Sequence, residues 1–104
     1  MADKVKAVPK GYRTATPYLI IKDVATALEF YKKAFNAKEI VRMPSPDGQK
    51  IVHAEIKIGN CIVMMGEETP ERGALSPKTI GGSGTSLYLY VRTCARVFKR
   101  ALKA

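Results

Sequence analysis

The alternation of apolar and polar positions divides the chain into short elements separated by glycine, proline and asparagine. Residues 15–22 (Ala-Thr-Pro-Tyr-Leu-Ile-Ile-Lys) are rich in β-branched and aromatic types, with Pro17 tolerated near a strand start, and predict a first strand. Asp23 then offers a side-chain acceptor at a helix N-cap. Val24, Ala27, Leu28, Tyr31, Ala34 and Phe35 recur at three- and four-residue spacing, which predicts a helix over 24–35. Asn36 suits the left-handed conformation that ends a helix, and residues 38–43 alternate as a second strand. Pro44-Ser45-Pro46-Asp47-Gly48 reads as a turn, because Asp-Gly permits the positive φ angles of a hairpin.

From Lys50 the alternation sets Val52, Ala54, Ile56 and Ile58 on one face and Ile51, His53, Glu55 and Lys57 on the other, a third strand with one dry face. Gly59-Asn60 is a second tight turn, and the apolar run from Cys61 to Met65 predicts a fourth strand. After an N-terminal tail over 1–14, the first unit is thus βαβββ over 15–66. Residues 67–84 hold Pro70, Gly73, Pro77, Gly81, Gly82 and Gly84, which predicts a long mobile loop.

A partial internal repeat follows. Ser86-Leu87-Tyr88-Leu89-Tyr90-Val91-Arg92-Thr93 aligns under Thr16-Pro17-Tyr18-Leu19-Ile20-Ile21-Lys22-Asp23, and Cys94, Val97, Phe98, Ala101 and Leu102 repeat the helical spacing of the first unit. Residues 85–104 are therefore expected to be the first strand and helix of a second module, and the fold class is α+β. A full second unit would run roughly thirty residues past Ala104, so the sequence reads as truncated in its second module or as a piece of a longer chain.

Composition narrows the field. A chain of 104 residues supports one domain with a modest core, and no apolar run approaches the ~18 residues of a membrane span. Met1 to Lys10 lacks the apolar stretch of a secretory signal, so a soluble, cytoplasmic protein is expected. Cys61 and Cys94 form no CxxC pair and read as small core residues. The net charge of +9 raises nucleic acid as a partner, but the basic residues are spread over tail and helices and match no nucleic-acid module.

A βαβββ unit begun twice, with Thr-Pro-Tyr-Leu-Ile-Ile-Lys-Asp followed by Ala-Leu-Glu-Phe-Tyr-Lys-Lys-Ala-Phe-Asn-Ala, resembles the vicinal oxygen chelate (glyoxalase/bleomycin-resistance/dioxygenase) superfamily over about residues 11–104. Met-Pro-Ser-Pro-Asp-Gly, His53-Ala54-Glu55-Ile56-Lys57-Ile58-Gly59 and Gly81-Gly82-Ser83 are similar to its PhnB-like branch. The resemblance implies curved sheets around a cavity, helices outside, and frequent dimerisation or module exchange. It also implies a divalent metal held from the first and fourth strands of each module. Those positions fall on Thr16, Met64 and Ser86, and hydroxyls and a thioether are poor ligands for a divalent ion, so no metal or other cofactor is expected.

On the implied strand polarity, Thr16, Tyr18, Met64, Ser86, Tyr88 and Tyr90 line the cavity as ligand-binding groups, tyrosines offering flat apolar area plus a hydroxyl. The alternative is that the tyrosines only fill a small barrel. His53 and Glu55, two apart on one strand face, form the one acid/base pair in the chain, or else lie on a half-exposed sheet face beside Lys57. Three readings compete: a protein that captures a small planar or cationic molecule without turnover; a lyase or isomerase using His53 and Glu55, or a metal-dependent glyoxalase or dioxygenase; and a fragment or decayed copy. An unpaired 86–91 strand further predicts a homodimer or module-exchanged dimer.

Overall fold

Two left-handed residues bound the helix the sequence predicts. Asp23 (φ 75°) caps it by accepting from the Thr26 backbone N–H, and Asn36 (φ 56°) turns the chain out of it. The computed structural model describes residues 6–104, so the first five residues of the predicted tail lie outside the described residues. The elements are β1 (Tyr18–Ile21), α1 (Val24–Phe35), β2 (Lys38–Pro44), β3 (Ile51–Ile58) and β4 (Cys61–Glu67), then a 3₁₀ turn (Pro70–Arg72), α2 (Pro77–Ile80) and α3 (Cys94–Lys103). Pro77 at the start of α2 and the left-handed Gly81 at its end limit it to a single turn.

The sheet order is β1-β4-β3-β2, with β1 parallel to β4 and the other pairs antiparallel. The long α1 crossover carries the chain from β1, so that β4 returns to pair beside it. The apolar stripe of α1 covers one sheet face: Val24 and Leu28 pack with Ala54, Ile56, Val63 and Met65 in the core. Each such Leu or Ile contributes about 1.5–3 kcal/mol through burial. Among the described residues no helix lies on the opposite sheet face, and this leaves room for a site.

Several expectations are corrected. The dry face of β3 is not a clean alternation: Met43 pairs with His53 and Pro44 with Ile51, so Val52 is an extra residue in a bulge. Ile51 is thereby buried, and Val52 is 48% exposed. Cys61 and Cys94 are exposed, at the β3–β4 turn and the start of α3, and are not core residues. Residues 67–84 are not wholly irregular. They begin with the last residue of β4 and fold into the 3₁₀ turn and α2, held by Glu68, which accepts from the Ser76 N–H and the Thr79 hydroxyl.

Residues 85–91, expected as a second-module strand, pair with no other strand among the described residues. Their β-prone composition describes side chains suited to a ladder, but a strand also needs a partner. The helix that follows forms as expected and rests on α1, with the Arg100 Nε donating to the Lys33 carbonyl at 2.6 Å.

Candidate functional site

The face of the sheet opposite α1 carries a continuous polar chain. Strand periodicity puts His53 and Glu55 of β3 on that face, and register sets Met64 of β4 between Glu55 and Tyr18 of β1. Tyr18 reaches across β4 to His53, its hydroxyl 3.0 Å from Nδ1, and Gly66 is the residue beneath it. His53 Nε2 lies 2.8 Å from Glu55 Oε2. The Tyr12 hydroxyl, from the segment before β1, donates to Glu55 Oε1. The two rings of Tyr18 and His53 sit 5.5 Å apart, tilted by 36°.

Burial raises the affinity of Glu55 for a proton, but hydrogen bonds from His53 and Tyr12 and the attraction of His53 outweigh it, and the carboxyl is held below its usual range. It is therefore ionised at neutral pH and accepts the Nε2–H of His53. With the imidazole neutral, Nδ1 is the free lone pair and Tyr18 donates its O–H to it. The Tyr12 phenol holds its proton more tightly than usual, through its hydrogen bond to Glu55, then burial, then repulsion by that carboxylate. In that tautomer every side-chain donor of this polar chain is used internally. What remains to meet a ligand is acceptor character: the lone pairs of Tyr18 and Glu55, the Met64 sulfur and aromatic faces.

The other predicted ligand positions lie apart from this chain. Thr16 is half-buried and donates to the Arg13 carbonyl at 3.4 Å. Ser86 is exposed and, with Tyr18, lines a separate cavity of about 820 Å³ on the outer side of β1, walled by Leu19, Phe30, Ile80 and Leu87. Tyr88 and Tyr90 are exposed and pack on one another, with ring centroids 5.2 Å apart. The polar chain is the more specific feature, since the cavity is walled mainly by apolar side chains with the hydroxyls of Ser83, Thr85 and Ser86 at its edge.

A divalent metal does not fit this donor set. Among the described residues no three His, Cys, Asp or Glu side chains converge, and both ring nitrogens of His53 are engaged. Tyr12 and Gly66 belong to the site although no sequence periodicity marks them. The one signal for Gly66 is a glycine inside an otherwise apolar strand, which marks a close approach.

A family model described as Glyoxalase/Bleomycin resistance protein/Dioxygenase superfamily matches residues 13–102. Among curated proteins, the uncharacterized proteins Mb0911c of Mycobacterium bovis and Rv0887c of Mycobacterium tuberculosis are each 37% identical over 92 residues, 86% of this chain. The chain spans 60% and 54% of their respective lengths. Two solved structures share the fold. A gene product from Arabidopsis thaliana (AT5G48480) has a TM-score of 0.68 at 19% identity, over 88% of this chain and 72% of its own. TioX from Micromonospora sp. ML1 has a TM-score of 0.57 at 20% identity, over 86% and 68%.

Proposed function

The chain belongs to the glyoxalase/bleomycin resistance protein/dioxygenase superfamily, and on that footing we propose that it binds a small planar molecule, favourably a cation, on the open face of its sheet without a metal. The fold alone hosts unrelated chemistries, so the argument rests on the site. The observation that carries it is the ionised, largely buried Glu55, joined through His53 to Tyr18 in a chain whose donors are consumed internally. Around the His53–Tyr18 chain, the acceptors and aromatic surface complement a flat ligand that brings a donor or a positive charge, with the exposed Lys57 two residues beyond Glu55 on the same strand. Calorimetric titration with 9-aminoacridinium, a planar cation, tests it. Saturable binding that Glu55→Gln weakens about tenfold is expected, and no heat of binding removes the reading.

The same chain supports a second reading, proton transfer by an isomerase or lyase. A carboxylate that orients an imidazole, which in turn accepts a hydroxyl proton, makes Tyr18 the substrate-facing base. His53→Ala then lowers turnover of such a substrate by about 10²–10⁴, and unchanged turnover excludes it. The reading also includes membership of the PhnB-like branch, on the phrases Met-Pro-Ser-Pro-Asp-Gly and His53-Ala54-Glu55. It includes a homodimer as well, which the exposed Leu87, Phe98 and Leu102 support. Unpaired, exposed Cys61 and Cys94 are compatible with work in the reducing cytoplasm.

A further inference from the structure

The group that closes the site comes from a segment with no helix or strand. Residues 6–16 form a strap, and among the described residues their one hydrogen bond to the sheet is that of the Tyr12 hydroxyl to Glu55 Oε1, spanning 43 positions of sequence. The second donor to Glu55, His53, is fixed on the same strand two residues away. One oxygen of the carboxylate is thus held by rigid structure and the other by a phenol on a strap with a single polar anchor. Near its middle the strap bends at Gly11 (φ 89°), where the Tyr12 N–H returns to the Pro9 carbonyl at 3.0 Å.

We infer that Tyr12 stands in cis for the ligand's own donor: the strap latches the site shut, and a ligand enters by displacing the phenol from Glu55 Oε1. This rests on the reading of that face as a binding site, and it narrows the ligand. The Tyr12 phenol brings the Glu55 carboxylate a hydrogen bond but no charge, whereas an N⁺–H donor brings both a hydrogen bond and an opposite charge. The displacing molecule is therefore a planar aromatic that carries a protonated nitrogen. A quaternary aromatic cation of the same shape has the charge but no proton to replace the one Tyr12 withdraws, and it competes poorly.

The test uses the full chain and its Tyr12→Phe variant, which keeps the ring and loses the donor. Fluorescence titration with 9-aminoacridinium should show the variant binding about fivefold tighter than wild type, the competing hydrogen bond being gone. The quaternary 10-methylacridinium should bind wild type about fivefold or more weaker than 9-aminoacridinium. Equal affinity of wild type and variant for 9-aminoacridinium, or equal affinity of wild type for the two dyes, overturns the proposal. A ligand-free measurement separates the latch from the binding reading: trypsin cleavage after the exposed Lys10 and Arg13. Cleavage should be several times faster in Tyr12→Phe than in wild type. If neither dye binds either protein, the binding reading fails. The latch is then decided by cleavage alone, faster cleavage in the variant supporting it and equal rates overturning it.

Discussion

Tyr18 lies across Gly66, and the absence of a side chain at that glycine is what lets the tyrosine hydroxyl come within 3.0 Å of His53 Nδ1. A Cβ on Gly66 would sit 2.7 Å from the Tyr18 hydroxyl oxygen and 2.9 Å from the Val52 carbonyl oxygen. The first of these is the end of a side chain and can swing away. The second is backbone at the β3 bulge and cannot yield without moving the strand.

Gly66→Ala should therefore destabilise the protein by about 1–3 kcal/mol in urea denaturation, as overpacking does. Tyr18→Phe alone should cost about 1 kcal/mol for the lost hydrogen bond. Because the alanine already displaces the tyrosine hydroxyl, the double variant should lose less than the sum of the two. Additive losses would show that glycine and tyrosine are independent.

Acid should weaken the fold in a defined window. The Arg42 and Lys32 side chains beside Glu39 hold its carboxyl down from 4.5 to about 2. Glu55 is also lowered, its hydrogen bonds from His53 and Tyr12 overcoming burial. A group whose pKa is depressed on folding contributes stability above its unfolded value, and that contribution disappears as the pH falls through the folded one. Stability measured by urea midpoint should thus decline from about pH 4.5 toward pH 2, and Glu39→Gln should flatten part of the decline. Since the Lys32 and Arg42 side chains are 34% and 41% exposed and solvent screens them, the Glu39 share should be at most about 1 kcal/mol.

Glu67, at the end of β4, closes the start of α1. Its carboxylate accepts from the Asp23 N–H at 2.8 Å and the Val24 N–H at 3.1 Å, two groups the helix itself leaves unpaired, at the positive end of its dipole. Glu67→Ala should cost about 1–2 kcal/mol, and Glu67→Gln less, since the amide keeps one acceptor. Equal losses for the two variants would assign the effect to the charge and the second acceptor oxygen of the carboxylate, not to one hydrogen bond.

Much of this was written in local pattern. Asp23, the three-and-four spacing of Val24 to Phe35 and Asn36 define α1 at both ends, because capping and periodicity are properties of neighbouring residues. His53 and Glu55 stand two apart on a strand, so their shared face followed from β geometry alone. The Val52 bulge did not follow, since alternation does not reveal where two residues face one. Tyr12 stayed hidden because its partner is 43 positions away and its own segment has no period. Residues 85–91 have the composition of a strand, but pairing depends on what lies beside them, and among the described residues no strand does.

The donor set also predicts indifference to metal. Addition of Mn²⁺, Ni²⁺ or Zn²⁺ at about millimolar concentration should leave Tm unchanged, because a binding site in the folded state would raise it by mass action. A metal-dependent rise of several degrees that His53→Ala abolishes would show that His53 and Glu55 rearrange to hold an ion.

The most direct measurement is an NMR titration of the protein with 9-aminoacridinium, following backbone amides and methionine methyls. The account predicts saturable shifts centred on Met64, His53, Glu55 and Gly66, the residues of the open sheet face. Shifts confined to Leu75, Ile80 and Leu87 around the apolar cavity, or none at all, would contradict it.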